Sequence, residues 1–352
     1  MLRRTLGDRV AAPVGGTAFA ANDAGARTRT CEFTEVTILK KLILFALLGV
    51  AAAAGAAPFA YVPNEKSGTV SVIDTATDTV VRDIAAGKRP RGIAVARGGS
   101  KLFVTDAGAN VLLMLPTGAG QRAAAPPSIA LGKSPEGVSI SADGRLIAVA
   151  VEENNSVTLI DAANGAQLAD IKVQGKNPEH AVFSPDGRWL LVSAEEAEQV
   201  DLIDVAARRQ VGSIAVGRRP RGIGFTPDSS RAYVAAELVN TVYAIDLASR
   251  KVIATIPAGK NANGIAMAPD GKQVWVSNGA DGTVMRIDTA RNVVTATVPV
   301  GKRPWNMAIT PDGKKLYVAN GRSNSVSVID TAAATKLSDI AVGELPWGVV
   351  ID

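Results

Sequence analysis

Residues 301–342 read GKRPWNMAITPDGKKLYVANGRSNSVSVIDTAAATKLSDIAV, and this stretch decides the fold. It contains four short runs of alternating β-branched and aliphatic residues, which predict strands at Trp305–Thr310, Leu316–Asn320, Ser325–Asp330 and Lys336–Val342. Turn signals separate the runs, above all Pro311-Asp312-Gly313. The stretch therefore predicts a unit of four strands joined by short loops.

A Gly-x-x-Pro step opens this unit and recurs along the chain. Its glycines are Gly87, Gly132, Gly175, Gly217, Gly259, Gly301 and Gly343, spaced 45, 43, 42, 42, 42 and 42 residues apart, and only at Gly259 is the proline replaced, by Ala262. Four strands repeated at about 42 residues are typical of a propeller blade. Since no segment after residue 60 shows sustained helical periodicity, the sequence predicts an all-β, seven-bladed β-propeller with four-stranded blades.

The two ends of the repeat region complement each other. Ala60-Tyr61-Val62 aligns with the second strand of a blade, and Pro346–Asp352 aligns with the first. We therefore expect the ring to be closed by a shared blade of three N-terminal strands and one C-terminal strand. Such pairing leaves no exposed sheet edge at the junction.

Many repeated residues have a structural explanation. Asp-Gly pairs supply turns at Asp143, Asp186, Asp270 and Asp312. The third strands end in Ile-Asp, and the aspartate is expected to accept hydrogen bonds from the following turn, at Asp74, Asp161, Asp204, Asp246, Asp288 and Asp330. The second blade departs from this pattern, because Leu115-Pro116 replaces Ile-Asp there. The Ala/Gly/Pro-rich segment Thr117–Pro127 that follows predicts a longer surface loop.

The first 57 residues predict export rather than a folded domain. Lys40-Lys41, the apolar run Leu42–Ala54 and the small residues Gly55-Ala56-Ala57 have the order of a secretory signal peptide, with cleavage expected after Ala57. The apolar run is short for a membrane span. We interpret residues 1–38 as an upstream extension from a start codon assigned too early, residues 39–57 as the signal peptide and residues 58–352 as the propeller, in the periplasm.

Charge and cysteine content exclude several functions. Residues 58–352 hold 31 of the 38 basic residues and 29 of the 33 acidic residues, and they contain no basic tract. This balance argues against nucleic-acid binding. The single cysteine, Cys31, precedes this region. Disulfides, thiolate metal sites, cysteine catalysis and covalent c-type haem are therefore excluded from residues 58–352.

Several segments resemble a known repeat family. Tyr61-Val62-Pro63-Asn64, Phe103-Val104-Thr105-Asp106 and Leu316–Asn320 followed by Ser327–Thr331 are similar to the YVTN β-propeller repeat, across essentially all of residues 60–352. A narrower set resembles the propeller proteins associated with pyrroloquinoline-quinone-dependent catabolism: Asn64–Asp74, Arg89–Gly92, Pro178-Glu179, Ser193–Glu195, Arg219–Arg221, Asn320–Asn324 and Pro346–Val350. The degraded third strand of the second blade departs from that pattern.

The narrower resemblance implies a periplasmic protein encoded beside quinoprotein alcohol dehydrogenases. A quinoprotein dehydrogenase or a cytochrome c is then the expected protein partner. The resemblance implies no defined chemistry, because propellers carry many unrelated functions.

The candidate ligand site lies at the mouth of the central channel. In a propeller, the loop that leads into each first strand and the loop between second and third strands open on this face. The residue after each Gly-x-x-Pro step differs from blade to blade, which is typical of a binding site on a repeat fold, although ordinary loop variability explains it as well. These seven residues are Arg91, Glu136, Glu179, Arg221, Asn263, Trp305 and Trp347.

Charged residues surround these seven. Glu65, Glu152, Glu195 and Glu237 occupy equivalent places in the adjacent loops, and Arg89 and Arg219 lie two positions before Arg91 and Arg221. For the outer basic residues, such as Lys88 and Lys176, we expect surface salt bridges of little energetic value. Arg91 and Arg221 have the geometry to clamp a carboxylate, and the two tryptophans can stack on a planar ring or pack against neighbouring loops.

His180 is the only histidine of the chain and follows Glu179, where other blades have Gly92, Gly137 or Gly222. With Glu179 and Glu195 it forms the single candidate set for a metal or a catalytic base. A hydrogen-bonded structural histidine is the more frequent case. No other catalytic or phosphate-binding motif is present.

The sequence favours binding and leaves enzymatic activity open. The leading hypothesis is a monomeric periplasmic propeller that binds an anionic small molecule or a protein partner at the channel mouth, with no cofactor, no metal and no membrane span after cleavage. The alternatives are a metal-dependent lactonase-like hydrolase, and a surface-layer or adhesion propeller.

Overall fold

A computed structural model describes residues 58–118 and 126–352. They form seven four-stranded antiparallel sheets, so the predicted fold class is confirmed. The predicted upstream extension and signal peptide lie outside the described residues, as does most of the predicted loop in the second blade. Within the described part, no helix is long and apolar enough to cross a membrane.

The first strands of the blades contact one another around the channel. In chain order they are β4 (Pro90–Val95), β8 (Pro135–Ile140), β12 (Lys176–Phe183), β16 (Pro220–Phe225), β20 (Ala262–Met267), β24 (Pro304–Ile309) and β28 (Val350–Ile351). They approach closely. A Cβ atom on Gly92 would lie 2.3 Å from the carbonyl oxygen of Glu136 in the next blade, so this position tolerates no side chain without a shift of the backbone.

The second and third strands form the middle of each blade. The second strands are β1 (Phe59–Asn64), β5 (Lys101–Asp106), β9 (Leu146–Val151), β13 (Trp189–Glu196), β17 (Arg231–Ala236), β21 (Gln273–Asn278) and β25 (Lys315–Asn320). The third strands are β2 (Thr69–Asp74), β6 (Val111–Pro116), β10 (Ser156–Asp161), β14 (Gln199–Asp204), β18 (Thr241–Asp246), β22 (Thr283–Asp288) and β26 (Ser325–Asp330). Two 3₁₀ turns, Glu152–Asn154 and Glu237–Val239, follow β9 and β17.

The fourth strands form the outer edge. They are β3 (Thr79–Ala85), β7 (Ser128–Ala130), β11 (Gln167–Lys172), β15 (Arg209–Ala215), β19 (Lys251–Pro257), β23 (Val293–Pro299) and β27 (Thr335–Ala341). Their residues alternate between exposed and partly buried, as in β3, whereas the second strand β1 is buried along nearly its whole length. The reason is that middle strands pack against neighbouring blades on both faces. The second blade has the shortest fourth strand, with three residues.

We number the blades from the shared one: blade 1 contains β28 and β1–β3, blade 2 contains β4–β7, and the order continues to blade 7 with β24–β27. A hydrophobic cluster fills each of the seven junctions between neighbouring blades of the described chain. At the junction of blades 7 and 1, for example, Tyr317 and Val328 pack with Ala60 and Ile73. The core is therefore a ring of junctions between blades.

The ring closes in blade 1 as the sequence predicts. Ala60 and Tyr61 of β1 pair with Ile351 and Val350 of β28. The side chain of Asp352 strengthens this closure, because its carboxylate accepts hydrogen bonds from the backbone N–H of Phe59 at 2.7 Å and from the Tyr61 hydroxyl at 3.0 Å.

The predicted hydrogen bonds of the third-strand aspartates are confirmed. In each of the six blades that carry this aspartate, its carboxylate accepts a hydrogen bond from a backbone N–H two or three residues further on, from Ala76, Ala163, Ala207, Ser249, Arg291 and Ala333 respectively. These aspartates therefore have a structural role in the turns.

Candidate functional site

Two sets of loops meet at the channel mouth because the backbone ties them together. In six blades an N–H group of the loop between the second and third strands donates to the carbonyl of the residue before the proline (Ala262 in blade 6), as Glu237 does to Arg219 at 2.9 Å and Glu152 does to Ser134 at 3.0 Å. The residue before the proline has a positive φ in six blades, at Ser134, Asn177, Arg219, Asn261, Arg303 and Leu345. The positive φ makes a sharp turn into the first strand. The same turn and the same hydrogen bond between the two loops therefore recur around the ring.

All seven residues that follow the proline step line one cavity of about 150 Å³. Three of the four acids from the adjacent loops, Glu65, Glu152 and Glu195, line it too, together with Arg303 and Asn306. The structure thus brings together ten of the fourteen residues selected from the sequence. The other four do not line the cavity, but each contacts a residue that does; they are Arg89, His180, Arg219 and Glu237. That any of them binds a ligand stays a prediction.

Arg221 lies at the centre of the largest cluster of ion pairs. It is 6% exposed, and its guanidinium contacts Glu179, Glu195 at 2.6 Å and Glu237 at 2.7 Å. Glu237 is 2% exposed and also contacts Arg303 at 2.8 Å and Arg219 at 3.4 Å. Burial acts to raise the pKa of Glu237, but Arg221 and Arg303 outweigh it and lower that pKa to about 2.

Glu136 belongs to a different cluster, on the blade 3 side of the cavity. It is 3% exposed and contacts a single arginine, Arg91, which also contacts Glu65 at 3.2 Å. The Ser134 hydroxyl lies 3.2 Å from Glu136 and 2.7 Å from Glu152 and joins the two carboxyl groups. Burial raises the pKa of Glu136, and the neighbouring Glu152 raises it further. Arg91 opposes these two effects only in part, so the pKa is about 7.

The outer arginines are paired, but most outer lysines are not. Arg89 contacts Glu65, and Arg219 contacts Glu195, both at 2.9 Å. Of the six basic residues that follow the repeat glycines, only Lys133 and Arg218 have a carboxylate of the described chain within 4.0 Å, each at 3.9 Å. The expectation of surface salt bridges is therefore wrong for the other four, Lys88, Lys176, Lys260 and Lys302. Their ammonium groups extend into solvent around the rim.

His180 does not line the cavity itself, but it contacts two residues that do, Asn306 and Trp347. It is 8% exposed, its Nε2 lies 3.3 Å from Oδ1 of Asn306 in blade 7, and its ring stacks on Trp347 with centroids 5.5 Å apart. Burial lowers the pKa of His180 to about 4, so the ring is neutral at pH 7. His180 therefore supports two side chains of the cavity wall from a second blade.

The two tryptophans combine the two roles that the sequence left open. Trp305 and Trp347 line the cavity. Each also packs against protein, Trp347 against His180 and Trp305 against Gly321, where an added Cβ would lie 2.6 Å from the indole ring. Both rings are thereby held in place at the cavity wall.

Sequence reasoning missed Ser134, Asn306, Arg303 and Asn261 as site residues. Asn306 occupies the position of His180 in its own blade, where five blades have glycine, so a comparison of that position across all blades identifies it. Arg303 has the repeat position of Arg89 and Arg219. Nothing in the repeat pattern marks Ser134 or Asn261, because their importance depends on contacts with Glu152 and Glu237.

His180, Glu179 and Glu195, the three residues considered for a metal site, are not arranged as metal ligands. His180 is engaged with Asn306 and Trp347, while Glu179 and Glu195 both contact Arg221. Among the described residues, no group of three or more His, Cys, Asp or Glu side chains has the arrangement of a metal site.

Comparison with known proteins agrees with the fold. Residues 205–343 match the family model described as lactonase, 7-bladed β-propeller. That match spans less than half of the chain. No curated protein sequence matches this chain.

Solved structures of similar fold are numerous. The chain is similar to hydrazine synthase from Kuenenia stuttgartiensis, with a TM-score of 0.70 and 26% identity over 77% of this chain and 92% of that one. A protein of unknown function from Desulfotomaculum acetoxidans has a TM-score of 0.71 and 18% identity over 83% and 98% of the two chains. A proposed 6-phosphogluconolactonase from Bacteroides fragilis has a TM-score of 0.69 and 20% identity over 86% and 99%. At identities below 25%, the likeness concerns the fold alone.

Proposed function

We propose that the mouth cavity binds a small, uncharged ring that carries several hydroxyl groups, such as a sugar or a sugar lactone. The observation that carries this proposal is that every arginine lining the cavity, Arg91, Arg221 and Arg303, already contacts a glutamate. An anionic ligand has to displace a glutamate carboxylate from its arginine, which leaves that carboxylate without its partner. An uncharged ligand leaves the ion pairs intact.

The chemistry of the lining suits hydroxyl groups. Each hydroxyl both donates and accepts, and the cavity offers guanidinium donors and carboxylate acceptors side by side. Asn263 adds an amide that makes no hydrogen bond with any described residue, although only 3% of the residue is exposed. Trp305 and Trp347 present aromatic faces that cover the apolar face of a ring. The volume of about 150 Å³ limits the ligand to a small molecule.

Hydrolysis of such a lactone is the second candidate function. Two observations favour it. One is the partial match to the lactonase family model. The other is the buried carboxyl group of Glu136 at the cavity wall, whose pKa of about 7 suits an acid–base catalyst near neutral pH. A metal-dependent version finds no support among the described residues, since the three side chains considered for it are engaged elsewhere.

The expectations about location and partners remain proposals of their own. The unpaired lysines of the rim support a partner with an acidic surface, for which a quinoprotein dehydrogenase or a cytochrome c is the class that the sequence resemblance implies. Periplasmic export is tested by N-terminal sequencing of the protein recovered from cells. A first residue at or near Pro58 supports it, and a mature chain that retains Cys31 contradicts it.

Calorimetric titration of the purified protein with glucose, glucono-1,5-lactone and gluconate tests the proposed function. We expect the two uncharged rings to bind, and gluconate to bind at least about tenfold more weakly, because it has to compete with the glutamates. The variant Asn263→Ala removes one neutral hydrogen-bonding group, so it is expected to weaken binding of the uncharged rings by about 3- to 10-fold.

The matched control is Lys176→Ala, which changes an exposed residue of the rim and is expected to leave these affinities unchanged. Tighter binding of gluconate than of glucose would overturn the proposal and favour the anionic ligand. Failure of all three compounds to bind would remove the support for a sugar-like ligand.

A further inference from the structure

Glu136 and Glu152 differ from the other glutamates around the cavity. Glu65, Glu179, Glu195 and Glu237 each contact one or more arginines, so their negative charge is matched by protein groups. Glu152 contacts no arginine or lysine of the described chain within 4.0 Å, and its hydrogen-bonding partner is the Ser134 hydroxyl. The pair Glu136–Glu152 therefore has a single guanidinium in contact with it, that of Arg91 on Glu136, and Arg91 also contacts Glu65.

We propose that Glu136, positioned by Ser134 and Glu152, is the acid–base group that opens a lactone ring held in the mouth cavity. This inference rests on the proposed function, because it requires a lactone to bind there. It assigns residues and proton-transfer steps to the second candidate function, lactone hydrolysis.

The reaction needs one water molecule and no other reactant. The Glu136 carboxylate takes a proton from water while the water oxygen bonds to the carbonyl carbon of the lactone. The bond from that carbon to the ring oxygen then breaks, and the proton held by Glu136 passes to the departing oxygen. The product is an open-chain hydroxy acid. Glu136 is again a carboxylate at the end of the reaction, and no atom is oxidised or reduced.

The surroundings of Glu136 suit this role. Burial, together with the neighbouring Glu152 carboxyl group, raises the pKa of Glu136 to about 7, so Glu136 can both take and give a proton near neutral pH. The charged groups that face Glu136 are Arg91, Glu152 and, at longer range, Arg221. The guanidinium of Arg91 lies beside Glu136, where its N–H groups can donate to the carbonyl oxygen as negative charge develops on it.

Ser134 and Glu152 act as positioning residues. The hydroxyl of Ser134 fixes the distance between the two carboxyl groups, and the negative charge of Glu152 keeps the proton affinity of Glu136 high. Removal of the Glu152 charge therefore has a consequence that a merely structural role lacks: it shifts the pH at which Glu136 becomes an effective base.

The test compares Glu136→Gln, Glu152→Gln and the matched control Glu153→Gln, a neighbouring glutamate whose side chain is 59% exposed. The initial rate of glucono-1,5-lactone hydrolysis is measured above the rate in buffer, from pH 5 to 8, and lactone affinity is measured separately by calorimetry. We expect Glu136→Gln to lower kcat by about 10²- to 10⁴-fold with little change in affinity. We expect Glu152→Gln to move the midpoint of the pH profile to lower pH, and Glu153→Gln to change neither quantity.

The outcomes separate this inference from the proposed function. If the wild-type protein binds neither lactone nor glucose, the proposed function fails. If it binds them but hydrolyses no lactone, or if Glu136→Gln retains the wild-type rate, the binding function stands and the acid–base inference is overturned. A drop in kcat for Glu136→Gln together with an unmoved midpoint for Glu152→Gln would leave Glu136 as the base and remove Glu152 as a positioning residue.

Discussion

Glu136 of blade 3 and Glu237 of blade 5 are both almost completely buried beside the same cavity, yet their carboxyl groups have opposite properties. The pKa of Glu136 is raised to about 7, and that of Glu237 is lowered to about 2. For both residues burial acts to raise the pKa and is the largest single contribution. The difference comes from the neighbours. Glu237 contacts Arg219, Arg221 and Arg303, while Glu136 has Arg91 on one side and Glu152 on the other.

This comparison separates two uses of a buried carboxylate. Glu237 contacts three arginines, so its carboxylate stays ionised at every physiological pH and joins blades 5 and 7. The Glu136 cluster is under-supplied with positive charge, so its carboxyl group changes protonation near neutral pH. A group that always carries its charge suits a structural junction, and a group that titrates near pH 7 suits chemistry.

The largest effect is expected from Glu237→Gln. The substitution leaves Arg219, Arg221 and Arg303 close together without the carboxylate that joins them, and the loss of one partner from a buried ionic network costs about 3–5 kcal/mol. Chemical denaturation at pH 7 should show a loss of unfolding free energy of this size. The control is Glu344→Gln, which removes an exposed pair with Lys66 and should leave the denaturation midpoint unchanged. Equal midpoints for the two variants would contradict the structural role of Glu237.

A smaller, pH-dependent effect is expected from Glu136→Gln. Because the folded-state pKa of Glu136 is raised, its contribution to stability is fully present below its unfolded pKa and is lost as pH rises through about 7. The wild-type protein should therefore lose up to about 3 kcal/mol relative to Glu136→Gln between pH 5 and 8. Denaturation of both proteins across this range measures the difference. A difference that stays constant with pH would mean that Glu136 titrates normally.

The smallest effect is expected from Arg303→Gln, which removes one of the three arginines from Glu237. At pH 7 the variant should lose about 1.5 kcal/mol, the lower end for a hydrogen bond to a charged group, because Arg219, Arg221 and Asn261 still hold the carboxylate. The folded-state pKa of Glu237 is depressed, so its contribution is present above the unfolded pKa and disappears as pH falls through about 2. The loss should accordingly shrink on acidification. Lys302→Gln, at the exposed neighbouring position, is the control; a loss that it reproduces would not belong to Glu237.

The repeat pattern was sufficient for the fold. The Gly-x-x-Pro step, the Asp-Gly turns and the third-strand aspartates each recur with the blade, and local sequence governs each of them through turn geometry and strand alternation. Ring closure was also predictable, because Ala60–Val62 and Pro346–Asp352 each match part of one blade. For the same reason the seven residues after the proline step could be placed at one cavity: a fixed position in the repeat becomes a fixed position around the axis.

The contacts across the ring depended on the tertiary structure. His180 and Asn306 are 126 residues apart, and Glu237 and Arg303 are 66 residues apart, so no local pattern relates either pair. The repeat determines that a side chain reaches the channel mouth. It does not determine which side chains from other blades meet there, how many arginines surround each glutamate or which lining residues His180 contacts. Those outcomes follow from side-chain packing and charge balance within a shared buried space, where burial and every neighbouring charge act on each carboxyl group at once.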